Sequence, residues 1–137
     1  EPVLIGLAVA EATPGATGVE LLLSLAMKWS GADQQDQPAP DKLRQALSVV
    51  TQSPVKVLGD ALGSLTHSAG RLVAGGVADI VMFDPAARWQ VQPSALVSQG
   101  KHTPFAFEST GFELAGRVRL TLVAGQVAHD AQDRADA

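Results

Sequence analysis

Three histidines, His67, His102 and His129, are the side chains of this 137-residue chain best suited to hold a metal or to move a proton near neutral pH. None stands in a His-x-His pair or at the i, i+4 spacing that puts two imidazoles on one helix face, so each is expected to be solvated or structural. Asp79 and Asp84 flank an apolar run, and their odd spacing sends them to opposite faces of a strand. Turn and cap duty beside Gly76 and Pro85 accounts for them better than a shared reaction does. No G-x-S-x-G elbow frames a serine, which argues against a serine hydrolase. The glycines of PGATG have the wrong spacing for a phosphate-cradling P-loop or a dinucleotide fingerprint. With no cysteine, the chain has neither a thiolate ligand set nor a disulfide framework. Taken alone, the sequence contains no complete reaction machinery, no catalytic residue and no metal site.

One stretch could serve chemistry without supplying a reactive group. Ala10 to Glu20 reads AEATPGATGVE, with Pro14, Gly15 and Gly18 just before a helix start. Thr17 is placed to cap that helix, and Glu20, three residues on, completes a capping box. A constrained loop feeding a helix N-terminus exposes backbone N–H groups to an anionic ligand; an ordinary surface turn before a helix accounts for the same residues. A second polar cluster, Lys101, His102, Thr103 and Pro104, follows Gly100 and precedes Phe105 and Phe107. It reads as a loop that packs two aromatics.

These segments need elements to position them. Residues 18–30 form an apolar helix, with Glu20, Ser24 and Lys28 as its polar stripe, buried on most sides. A polar, Pro-bearing loop (31–40) leads to a second helix capped by Asp41, with Leu43, Ala46, Leu47 and Val50 at helical spacing. Ser53 and Pro54 start a short third helix that Gly59 closes. Beyond it the grammar changes to glycine-punctuated short runs. Residues 79–84 read as a buried strand, 89–91 as a possible addition to it, and the alternation at Val118, Leu120 and Leu122 as a half-buried strand. Ala124 and Gly125 turn that strand into 126–129. The expected organisation is a helical module followed by a β-rich one, with the boundary near residues 58–62.

Composition sets the outer bounds. Hydrophobic content of 46% supports a folded core, and with aromatics at only 4% that core must be built from Leu, Val and Ala, which leaves no stacking platform for bases. The net charge of −4, with basic residues spread along the chain, gives no electrostatic footprint for nucleic acid or an anionic membrane. No apolar run approaches the roughly 18 residues that span a bilayer, and residues 1–10 lack the basic flank of a signal peptide. The chain opens without Met on what reads as a buried strand, so it is expected to be a segment of a longer protein. Absence of cysteine fits a cytoplasmic location.

Several segments together resemble the C-terminal third of a dihydroorotase, a cyclic-amide hydrolase of the amidohydrolase superfamily. They are AEATPGATGVE with LLLSLAMKW (10–29), TQSPVKVLG (51–59), G-S-L with A-G and GGVADIVMFDP (63–85), W-x-V (89–91), SQGKHTPF (98–105) and LAGRVRLTLVAG (114–125). The resemblance implies an α/β fold in which residues 1–58 are the C-terminal end of a (β/α)8 barrel and residues 59–137 are a β-sandwich segment with a C-terminal tail; an isolated fragment would be α+β. It implies an intact parent that interconverts dihydroorotate and N-carbamoyl-aspartate with zinc, whose ligands all lie upstream of Glu1. It places Pro14 and Gly15 as the substrate-binding residues, presenting backbone to the small-molecule substrate. The chain alone is expected to be inactive, to carry no cofactor and to self-associate through apolar surface that the barrel would otherwise cover. The resemblance also admits a non-catalytic branch, dihydroorotase-like scaffold subunits associated with aspartate carbamoyltransferase.

Overall fold

Leu21, Met27 and Ala26 are buried on one side of a helix that the apolar run after Gly18 dictates. The computed structural model describes residues 15–34, 37–106 and 112–132. A 3-10 turn, Val19–Leu21, leads into helix α1, Leu22–Ser30, which stops at Gly31 in the left-handed conformation (φ 74°, ψ 19°). Helix α2, Pro40–Val50, begins with Pro40 at its first position, where the missing N–H costs nothing. Helix α3, Gln52–Leu58, follows after Thr51, and a kinked 3-10 segment, Gly59–His67, carries the chain toward the sheet.

Three antiparallel strands follow: β1 (Ile80–Gln90), β2 (Glu113–Val123) and β3 (Gln126–Asp130), in the order β1-β2-β3. Strand β1 pairs with β2 from Ile80 opposite Leu122 to Gln90 opposite Glu113. The expected runs 79–84 and 89–91 are thus one strand, interrupted between Asp84 and Arg88 by a bulge that holds Pro85. A proline cannot donate to the ladder, and a bulge is where a strand tolerates it. The Asp84 carboxylate accepts the N–H groups of Ala86 (3.0 Å) and Ala87 (3.2 Å), which organises the bulge. Strands β2 and β3 turn at Ala124 (φ 49°) and Gly125 (φ 79°), the sign pattern of a tight two-residue hairpin.

The helices pack on this sheet through α1 and β2. Ala26, Met27 and Ala32, Ala46 of α2, and Ala115 of β2 form one cluster, joined by Leu23, Leu43, Val50 and Phe83. Leu21, Val91, Leu96 and Leu114 form a second, joined by Leu25, Trp89 and Phe105. Small alanines at the contacts let helix and strand approach closely.

Three local expectations are corrected. Ser24 was expected on a polar stripe, yet it is only 2% exposed while Trp29 and Val19 stand out in solvent. The reason is a buried hydrogen bond: the Ser24 hydroxyl donates to the Gly116 carbonyl (3.0 Å), and the Trp89 indole N–H donates to that carbonyl too (3.2 Å). Asp41 does not cap α2. Ala39 occupies the cap position and Asp41 lies in the first turn, paired with Arg44 at 2.9 Å. Ser53 likewise sits inside α3, whose cap position is Thr51. In both cases the chain enters the helix earlier than the strongest capping residue, because Pro40 and Gln52 already accept helical backbone angles. Among the described residues no helix is long and apolar enough to cross a membrane.

Candidate functional site

The segment around Gly15 and the polar loop at 96–103 lie far apart in sequence and meet at the entry to α1. Gly15 has φ 76°, a left-handed backbone that an L side chain adopts only with strain, and among the described residues nothing lies within 4 Å of where its Cβ would be. Pro14, the other expected substrate-facing residue, lies outside the described residues. Two residues beyond Gly15, the Thr17 N–H donates to the His102 carbonyl (2.7 Å) and the Thr17 hydroxyl donates to the Gly100 carbonyl (2.6 Å). One turn later the Glu20 carboxylate accepts the Val97 N–H through Oε1 (2.8 Å) and Oε2 (3.1 Å), and the Ser98 N–H through Oε2 (3.1 Å).

This geometry overturns the expected capping box. Neither the 3-10 turn nor α1 has a side-chain cap. Thr17 and Glu20 bond across to the second loop instead, because that loop offers two carbonyls and two free N–H groups in register with them. A charged acceptor shared between two backbone donors makes a stronger bond than a local hydroxyl cap. No signal within either segment reveals this pairing, since each residue type also suits its local helix-start role.

The second loop is fixed from its own side as well. Leu96 is buried against Leu21, Thr103 is 6% exposed, and the Lys101 ammonium donates to the Leu96 carbonyl. Phe105 packs edge-on against Phe112 with ring centroids 5.8 Å apart, and Lys28 of α1 lies 5.3 Å from the Phe112 ring centre. The loop does pack an aromatic, as its composition predicts, although Phe107 lies outside the described residues. Gly100 is crowded: a Cβ there would lie 3.0 Å from the Thr17 hydroxyl oxygen.

His67 and His129 lie on elements outside this junction, and Asp79 and Asp84 serve a local turn and a strand bulge. His67 ends the 3-10 segment, His102 lies in the loop, and His129 sits on β3 opposite Thr121. Among the described residues no three His, Asp or Glu side chains gather where an ion could bind. Asp79 accepts the Ala124 N–H (2.8 Å) and so ties the hairpin turn to the start of β1. The Arg119 guanidinium bonded to Asp84 at 2.9 Å, assisted by the Ala86 N–H, holds that carboxyl below the usual carboxylate range. Both acids have the turn and bulge duties that their neighbours Gly76 and Pro85 suggest.

No protein-family model matches the chain. Comparison with curated proteins finds a dihydroorotase of Citrifermentans bemidjiense, 34% identical over 117 residues, covering 85% of this chain. A dihydroorotase of Anaeromyxobacter dehalogenans is 37% identical over 93 residues, or 68% of this chain. This chain belongs to the dihydroorotase family. It spans about a quarter of the length of the curated relatives it matches, 24% for the Citrifermentans protein. A dihydroorotase-like protein of Pseudomonas aeruginosa is 35% identical over 117 residues, covering 85% of this chain and 23% of its own length. The fold agrees with a solved amidohydrolase: a D-hydantoinase (dihydropyrimidinase) from Thermus sp. superposes with a TM-score of 0.68 at 21% identity, over 90% of this chain and 24% of that one. In this dihydroorotase-family chain, the expected substrate-side residue Gly15 thus adjoins a junction of two loops held by Thr17 and Glu20.

Proposed function

We propose that this chain is the C-terminal portion of an enzyme that reversibly hydrolyses the cyclic amide of dihydroorotate to N-carbamoyl-aspartate. In this reading residues 1–58 close a (β/α)8 barrel and residues 59–137 belong to a β-sandwich. The observation that carries it is the extent of the match, 34% identity across 117 of the 137 residues, to a protein named for that reaction. The part played by this chain is to hold substrate: Pro14 and Gly15 turn their peptide groups toward it. An exposed, positive-φ glycine supports that role, because it has no side chain of its own to keep a ligand from its backbone.

Zinc belongs to the intact enzyme in this reading, held by residues other than the described ones. The chain by itself is inactive, resides in the cytoplasm, and has neither nucleic acid nor membrane among its partners. Exposed Val19, Trp29, Val57 and Leu72 support self-association of the isolated chain. The test is turnover of dihydroorotate by an intact protein that carries this segment, alongside the 137-residue chain alone. Metal-dependent turnover by the first and none by the second is expected; turnover by the isolated chain would refute its inactivity.

A second reading, a non-catalytic scaffold bound to aspartate carbamoyltransferase, draws on one observation. The Pseudomonas protein, named only dihydroorotase-like, is as similar to this chain as the named dihydroorotases are. Co-purification of the intact protein with aspartate carbamoyltransferase, without metal or turnover, would favour that reading over the first.

A further inference from the structure

We infer that Thr17 and Glu20 are positioning residues: they latch the Gly15 turn to the 96–102 loop, so that two loops form a single substrate-side unit. The inference deepens the proposed function and rests on it for the identity of the substrate. Its mechanical part rests on geometry alone.

Four backbone groups of the second loop, the carbonyls of Gly100 and His102 and the N–H groups of Val97 and Ser98, all find partners on Thr17 and Glu20. The partners alternate in polarity. Thr17 gives two donors to the two carbonyls, and Glu20 gives two acceptor oxygens to the two N–H groups. Each of the four backbone groups is thus matched to a partner of opposite hydrogen-bonding sense. Gly15 is two residues from this anchor, and among the described residues nothing lies within 4 Å of where its Cβ would be, so what holds Thr17 also holds the described side of the turn. On the far side the second loop is anchored by Leu96 in the apolar cluster with Leu21. Position is thus transmitted from the core, through Leu96 and the loop, to Thr17 and then Gly15. Neither Thr17 nor Glu20 touches substrate in this scheme; both act through the turn.

The latch separates cleanly into testable bonds. Glu20→Gln keeps the shape but replaces one acceptor oxygen by an NH2 group, which opposes the Ser98 or Val97 N–H with another donor. Thr17→Val removes the hydroxyl donor at constant volume, while Thr17→Ser restores it. The experiment is amide hydrogen exchange on the intact protein, following residues 15–18 and 97–102, together with dihydroorotate kinetics. Both segments are expected to lose protection together in Glu20→Gln and in Thr17→Val, about tenfold in exchange rate, with protection recovered in Thr17→Ser. KM for dihydroorotate is expected to rise by about the same factor with kcat and bound metal little changed, because a displaced binding turn weakens substrate binding rather than the chemical step. Loss of protection at 97–98 with residues 15–18 unaffected would overturn the latch. Coupled exchange with an unchanged KM in an active enzyme would overturn the substrate-side role. If the intact wild-type protein does not turn over dihydroorotate, the proposed function and the substrate-side role both fall, and the exchange coupling alone decides the latch.

Discussion

Two of the junctions between the helices of this chain and its later, strand-bearing part use opposite physics. At the surface, Thr17 and Glu20 hold the 96–102 loop by directional bonds from two side chains to four backbone groups. In the interior, α1 meets β2 at Gly116, where an added Cβ would lie 2.6 Å from the Met27 sulfur and the Ser24 hydroxyl reaches the Gly116 carbonyl. The interior contact tolerates almost no displacement, whereas the surface contact is exposed to water and competes with it. The difference separates two jobs: the interior junction sets global stability, and the surface junction sets where one loop points.

The largest effect should therefore come from the interior. Gly116→Ala meets both a positive φ of 91° and the Met27 sulfur, and should destabilise the fold by about 2–4 kcal/mol in denaturant titration. A loss below about 0.5 kcal/mol would show that α1 and β2 do not approach as described. Ser24→Ala should cost less, about 1 kcal/mol, because the Trp89 N–H still donates to the Gly116 carbonyl when the hydroxyl is gone. An equal cost for the two substitutions would mean that the polar node, and not packing, dominates the interior.

Gly100→Ala sharpens the contrast from the surface side. Its Cβ would press on the Thr17 hydroxyl at 3.0 Å, so Thr17 must yield by a few tenths of an ångström. The expected outcome is faster amide exchange at residues 15–18 with a global stability change within about 1 kcal/mol. A large global loss would erase the distinction between the two junctions.

The smallest effect belongs to Asp84. Its folded-state pKa lies below the unfolded value, first through Arg119 and then through the bulge N–H groups. Its contribution is therefore complete above the unfolded carboxylate value, about pH 4, and is lost as pH falls through the depressed folded value. Acid titrations of the wild type and Asp84→Asn should differ above that range and converge at its acid end. The side chain is partly exposed, so solvent screening keeps the difference small.

Much of this fold was legible in the chain. The α1 run, the Ala124-Gly125 hairpin and the strand at 118–122 all announced themselves through period and turn chemistry. Asp41 and Ser53 misled because their helices start one or more residues earlier than the capping residue suggests, whereas Ser24 misled because a small polar residue suits an exposed stripe or a buried bond equally well and its distant partner Gly116 decides which. The pairing of Thr17 and Glu20 with residues 97–102 was hidden in the same way, across most of the chain. Their local pattern fits a capping box perfectly well until the second loop arrives. The glycine at 15 could be picked out only through family resemblance, since nothing in its own residues says what it faces.

A crystal structure of an intact protein carrying this segment, with dihydroorotate bound, tests the central claim most directly. The expected result is a ligand oxygen or nitrogen within about 3 Å of a peptide group of Pro14 or Gly15, with the Thr17 and Glu20 bonds to residues 97–102 in place. Dihydroorotate bound away from those two residues, or bound beside them with those bonds broken, would contradict the claim.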